Sequence, residues 1–151
     1  MQFREAEPSD IPDMARVRAL DRGTEEFWVT RISAYMNGEH HPQQALTPRI
    51  LYVAIESENL VGFVAGHLTR RFNCSGELEW ISVLPEYRKK GIASGLLHLL
   101  AAWFVENKSL RICVDVDPDN SSAQQFYRKH GAENLNRHWL VWNDIREVMN
   151  K

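Results

Sequence analysis

The chain has 151 residues, 44% of them hydrophobic and 25% charged, with a formal net charge of −2. That length suits one domain over 1–151 with a substantial core, and the near-neutral balance gives no bulk attraction to nucleic acid or an anionic membrane. Cys74 and Cys113 are the two cysteines, without Cys-x-x-Cys spacing, which argues against a disulfide framework or a zinc site.

Met1 to Glu5 lacks an apolar run after a basic start, and the longest apolar stretch, Leu96 to Val105, is too short to cross a bilayer. The expectation is a cytoplasmic protein. Phe3 to Ala6 reads as a first short strand. Pro8-Ser9-Asp10 then starts a helix, with Ser9 or Asp10 as N-cap and Pro12 tolerated in the first turn. A second helical segment runs from about Thr24 to Met36 and stops near Asn37-Gly38. His40 to Pro48 reads as a loop. Ile50 to Ile55 and Leu60 to Leu68 form a hairpin across the polar turn Glu56 to Asn59. Glu77 to Val83 follows as a third strand. If regular, it places Glu77, Glu79, Ile81 and Val83 on one face and Leu78, Trp80 and Ser82 on the other.

Pro85 ends that strand because it cannot donate to a ladder. Arg88-Lys89-Lys90-Gly91-Ile92-Ala93 then turns into a helix from Ile92 to about Val105. Its stripe of Ile92, Leu96, Leu99, Leu100, Trp103 and Phe104 has helical spacing. A helix N-terminus leaves backbone N–H groups unpaired, and its dipole favours anions. Gly91 permits close approach of a bulky anion, and the three cations suit phosphate oxygens. The turn reads as a pyrophosphate site, and a plain turn with a solvated basic face stands beside that reading. Arg111 to Val116 is a further strand, Asp117 to Asn120 a turn, and Ser121 to His130 a short helix closed by Gly131. Trp139 to Trp142 is a last β run, and Asp144 to Lys151 a frayed helix. The expected order is β-α-α-β-β-β-α-β-α-β, a mixed α/β sheet flanked by helices.

Three pieces together resemble the GNAT superfamily of N-acetyltransferases. Ile81-Ser82-Val83-Leu84-Pro85-Glu86-Tyr87 looks like that family's fourth strand and its exit. Arg88 to Ala93 fits its Arg/Gln-x-x-Gly-x-Gly/Ala pattern. Asn120-Ser121-Ser122-Ala123-Gln124-Gln125-Phe126-Tyr127, with Gly131, resembles its Asn-x-x-Ala-x-x-Phe-Tyr and closing Gly. Ala132 departs from the family's usual Phe after that Gly, which weakens the expectation of a last hairpin.

The resemblance implies a central mixed, mostly antiparallel sheet splayed between its fourth and fifth strands. It implies acetyl-CoA, or a longer acyl-CoA, as donor. The diphosphate would lie on N–H groups from Lys89 to Ser94 (Lys89, Lys90, Gly91, Ile92, Ala93, Ser94). Arg88 would mainly shape the turn, and Lys89 or Lys90 would meet a phosphate. The backbone of Ile81 and Val83 would pair with the pantetheine arm, and a nearby N–H would bond the thioester oxygen. Asn120 caps the short helix, and with Ala123 it falls in the same coenzyme A region. Tyr127 occupies the family's general-acid position. The packing alternative for Phe126-Tyr127 is a core aromatic pair.

An alkyl ammonium must lose a proton before it attacks, and a carboxylate accepts it. Glu77 is the first candidate because it matches the family's acidic site; Glu79 is second, since a bulge would swap which one faces the cleft. Asp115 is third, and each also reads as a solvated strand carboxylate. The six histidines show no ligand spacing, so no metal is expected. Trp28 is the tryptophan placed to meet an amine. The acceptor is expected to be a small-molecule amine. Protein N-terminal or lysine acetylation, a non-catalytic acyl-CoA sensor and an unrelated nucleotide-binding domain are the competing readings. A homodimer, using exposed tryptophans near the C-terminus, is an expectation by analogy.

Overall fold

Leu60 to His67 is buried residue after residue, and that run forms the middle of the sheet in the computed structural model. The structure describes residues 1–42 and 44–150. In chain order the elements are β1 (Gln2–Glu5), α1 (Ile11–Ala19), α2 (Glu25–Met36), β2 (Ala45–Glu56), β3 (Asn59–Thr69), β4 (Gly76–Val83), α3 (Ile92–Glu106), β5 (Ile112–Asp115), α4 (Ser121–Lys129), β6 (Glu133–Asn136), β7 (Trp139–Trp142) and α5 (Arg146–Met149). The strands make one sheet in the order β1-β2-β3-β4-β5-β7-β6. Only β4 and β5 run parallel; the other neighbours are antiparallel.

The two sheet faces bury different helices. Met14, Trp28, Ile32 and Tyr35 of α1 and α2 pack with Val53, Phe63 and Trp80. Ile92, Leu96, Leu100 and Phe104 of α3 pack on the other face with Val64, Leu78 and Ile112, joined by Tyr127 and Val148. Each such large apolar side chain contributes about 1.5–3 kcal/mol by leaving water. The α3 stripe is centred differently from the expected one. Leu97 and Ala101 are buried, whereas Leu99 and Trp103 lie at its margin.

Several expectations need correction. The 40–48 loop is partly strand: β2 begins at Ala45, and a register shift between Leu46 and Arg49 accommodates Pro48, which has no N–H to donate. Gln43 of that stretch lies outside the described residues. β6 pairs with β7, so the last hairpin forms despite Ala132; β6 is polar because it is the sheet's edge. The terminal helix is the short α5, anchored by buried Ile145 and Val148 and by His98 Nε2 at 2.8 Å from the Val148 carbonyl. Lys151 lies outside the described residues. The C-terminal tryptophans are not an exposed pair. Trp142 is fully buried and its indole donates to the His130 carbonyl, while Trp139 is half-buried against Phe72.

No helix among the described residues is long and apolar enough to cross a membrane. Both cysteines are buried and free.

Candidate active site

β4 and β5 pair over three positions only, Gly76 to Leu78 against Ile112 to Val114. Past Leu78 they separate. β4 continues to Val83, bonded to β3 on one side and open on the other. The gap is a cleft of about 1440 Å³. It reaches from the turn before α3 past Ile81, Ser82 and Val83 to Glu77 and Glu79, with Val114 to Val116 opposite.

The turn has the geometry of an anion cradle. Gly91 takes φ 84°, a left-handed backbone that side chains disfavour, and nothing lies within 4 Å of where a Cβ would stand. The first helical bond runs from Gly95 N–H to the Gly91 carbonyl (3.0 Å). Ile92, Ala93 and Ser94, whose N–H groups precede that bond, border the cleft. Arg88 holds the turn in place: Nε donates to the Val83 carbonyl (3.0 Å) and a terminal nitrogen to Asp21 (3.0 Å). Asp21 also accepts from the Ser82 hydroxyl (2.8 Å), and Ser82 accepts from Arg18 (3.1 Å). Lys89 lines the cleft. Lys90 lies over the Tyr87 ring at 5.3 Å and is not part of the lining.

The carboxylates stand where β4 is irregular. Ala65 pairs with Trp80 and Gly66 with Leu78, so Glu79 has no partner on β3 and forms a bulge. The expectation of a regular strand is therefore corrected. Leu78 and Val83 pack on the α3 face and Trp80 on the α1–α2 face. Glu77 alternates with Leu78 and so does not share a face with Ile81 and Val83. The bulge brings Glu77 and Glu79 together, with carboxylate oxygens of the two within 4.8 Å of one another. Glu77 is 4% exposed and meets Arg71 Nε at 3.3 Å. Burial, and then the charge of Glu77, push the Glu79 carboxyl up to about 8.

Tyr127, on α4, is buried against Trp142 and Phe126 but still borders the cleft. Its hydroxyl makes no hydrogen bond among the described residues, and burial raises its pKa well above the ordinary phenol value. Asn120 caps α4, accepting from Ala123 N–H (3.1 Å); both border the cleft. Asp115 borders it from β5. Trp28 also borders it, but its indole N–H is committed to the Arg22 carbonyl (2.7 Å) and its ring carries Arg18 at 5.0 Å.

The GNAT acetyltransferase family model matches residues 18–132. This chain belongs to the GNAT acetyltransferase family. Over 67 residues it is 37% identical to streptothricin acetyltransferase A of Bacillus subtilis, a match covering 43% of this chain and 39% of that relative. The chain thus spans well under half of that protein's length. Among solved structures, an aminoglycoside 6'-N-acetyltransferase of Acinetobacter haemolyticus superposes with a TM-score of 0.76 at 17% identity, over 90% of this chain and 93% of that one. The PaiA N-acetyltransferase of Thermoplasma acidophilum, solved with coenzyme A, superposes with a TM-score of 0.70 at 17% identity, over 95% and 98%. At these identities the structures establish the fold.

Some of the cleft was invisible in the sequence. His67, Glu77 and Glu79 bring ligand atoms within 4.8 Å of one another, a grouping that no spacing rule reveals because the bulge creates it. Arg71 already supplies Glu77 with a positive partner, so the carboxyl pair has its charge balanced from within the protein. Arg71 and Trp139, whose ring lies under that guanidinium at 4.8 Å, were likewise missed. Asp21 was missed too: its bonds to Ser82 and Arg88 join residues 61 and 67 positions apart.

Proposed function

We propose that this acetyltransferase moves an acetyl group from acetyl-CoA to the primary amine of a small-molecule acceptor, by direct attack with both substrates bound. The observation that carries the proposal is the continuity of the cleft. An anion cradle at one end and a carboxyl pair at the other are joined by the open edge of β4. Acetyl-CoA supplies the thioester and a thiolate leaving group. The N–H groups of Ile92, Ala93 and Ser94 hold its diphosphate, with Lys89 beside them, and the free backbone edge at Ile81 and Val83 holds its extended arm.

Glu79, in its ionised form, takes the proton from the acceptor's ammonium. Moving that proton from an amine of pKa 10.4 to a carboxylate at about 8 is uphill by about 3 kcal/mol, against about 8 kcal/mol for an ordinary carboxylate at 4.3. That difference suits Glu79 to accept the proton, with the charge of Glu77 tuning it. Tyr127, protonated and without a hydrogen-bond partner, donates to the departing sulfur. Streptothricin and aminoglycoside acetyltransferases among the similar proteins support a small cationic acceptor.

Calorimetric titration of acetyl-CoA into wild type and Gly91→Asp tests the donor end. Binding is expected near micromolar, about −8 kcal/mol, and is lost in the folded variant, whose carboxylate enters the cradle. Thiol release with a panel of amines tests the acceptor end. A folded wild type that neither binds acetyl-CoA nor releases coenzyme A with any amine refutes the proposal.

A further inference from the structure

His67 stands directly across the ladder from Glu77 in the β3–β4 register and is completely buried. Its Nδ1 lies 2.8 Å from the hydroxyl of Tyr35, itself fully buried on α2. Its Nε2 lies 3.7 Å from Glu77 Oε1, sealed from solvent and without a hydrogen-bond partner. Burial raises the Tyr35 hydroxyl well above its ordinary pKa, so the phenol keeps its hydrogen. A buried hydroxyl hydrogen needs an acceptor, and Nδ1 is the acceptor in reach. The imidazole hydrogen then sits on Nε2, facing Glu77.

We propose that Tyr35 and His67 are positioning residues for the carboxyl pair: Tyr35 fixes the imidazole tautomer, and His67 Nε2–H holds the Glu77 carboxylate in place against Glu79. The proposal deepens the reading of Glu79 as the proton acceptor and rests on it. A carboxylate facing a fixed N–H is held in one orientation. The charge of Glu77 then stays against Glu79 and favours the neutral form of that neighbour.

The surrounding groups act in known directions. Arg71, from the turn before β4, reinforces His67 by pairing with Glu77. Arg18, from α1, favours the ionised form of Glu79. Asp115, from β5, sets a like charge near Glu77, as do Cys74 and Cys113 if ionised. Arg49, from β2, lies over the Tyr35 ring at 4.7 Å and acts on that phenol.

The test is a carbon-13 NMR titration of the glutamate carboxyls in wild type, His67→Leu, His67→Gln and Tyr35→Phe. In wild type the Glu79 carbon titrates near pH 8. In His67→Leu the Glu77 carboxylate is no longer held against Glu79, and the Glu79 step falls by about one pH unit, a tenfold change in proton affinity. His67→Gln restores an N–H donor and returns the step toward the wild-type value. Tyr35→Phe frees the tautomer and produces a smaller fall in the same direction. A residue that only fills space would move the melting temperature and leave the step alone. An unmoved Glu79 step in a folded His67→Leu or, should that variant not fold, in Tyr35→Phe overturns the proposal. The acid limb of the kcat/KM profile is recorded in parallel. A Glu79 step that moves while the limb stays put supports the positioning role and refutes Glu79 as the base.

Discussion

Replacing Glu79 by Gln probes the carboxyl pair without an assay of turnover. Glu79 Oε1 is sealed from solvent and unpaired. Burial and the neighbouring Glu77 push its carboxyl from an ordinary 4.5 to about 8. Between those values the folded protein holds a proton that the unfolded chain has released. Stability therefore falls as pH rises from 4.5 to about 8 and levels off above it, while below 4.5 both states are protonated and the group makes no difference. At 1.36 kcal/mol per pH unit the full fall is on the order of 5 kcal/mol. Glu79 interacts with Glu77 rather than standing alone, so part of that fall is expected, about 2 kcal/mol or more by the same conversion. Gln has no proton to lose. Relative to wild type, Glu79→Gln should gain that amount on going from pH 5 to pH 9, about 5 °C in Tm. Urea unfolding of both proteins at the two pH values measures it. Equal differences at pH 5 and pH 9 would show that Glu79 is not held neutral by burial and by Glu77, and the choice of Glu79 as base would fall with it.

The other predictions separate donor binding, acid catalysis and simple folding. Tyr127→Phe should lower kcat by about 100-fold or more and leave the calorimetric Kd for acetyl-CoA unchanged; an unaltered kcat removes Tyr127 from the reaction. Arg88→Ala releases the turn from Val83 and Asp21. It should weaken acetyl-CoA binding about tenfold with little change in urea midpoint, because the Arg88 side chain is half exposed. Asn120→Ala removes the α4 cap and should cost about 1 kcal/mol of stability. A larger loss of acetyl-CoA affinity than of stability would assign Asn120 to the donor as well as to the helix.

What was legible in the sequence follows the range of the interactions concerned. The Arg88–Ala93 turn was readable because it is local: Gly91 and the helix start behind it are adjacent in the chain. The Asn120 cap and the Gly131 stop were readable for the same reason. The β4 bulge was not, because it is a register event between Ala65–Gly66 and Leu78–Trp80, and a period-2 pattern assumes it away. That one irregularity reversed the face assignment of Glu77 and brought it against Glu79, His67 and Arg71. β6 was missed for a different reason. Glu133-Asn134-Leu135-Asn136 has weak strand propensity, and its pairing with β7 overrides it. The start of β2 was hidden by Pro48, a residue that argues for a loop until a bulge absorbs it.

The separation of β4 from β5 leaves a strand edge inside a sheet rather than at its rim. An exposed edge at a rim is a template for any other chain and a route to aggregation. This one borders the cleft instead, with β5 and β7 beyond it, so it is set back from the rim where another chain would first meet the sheet. The three-pair junction that interrupts the sheet therefore takes a template off the rim without pairing it, and leaves its backbone groups beside the cleft.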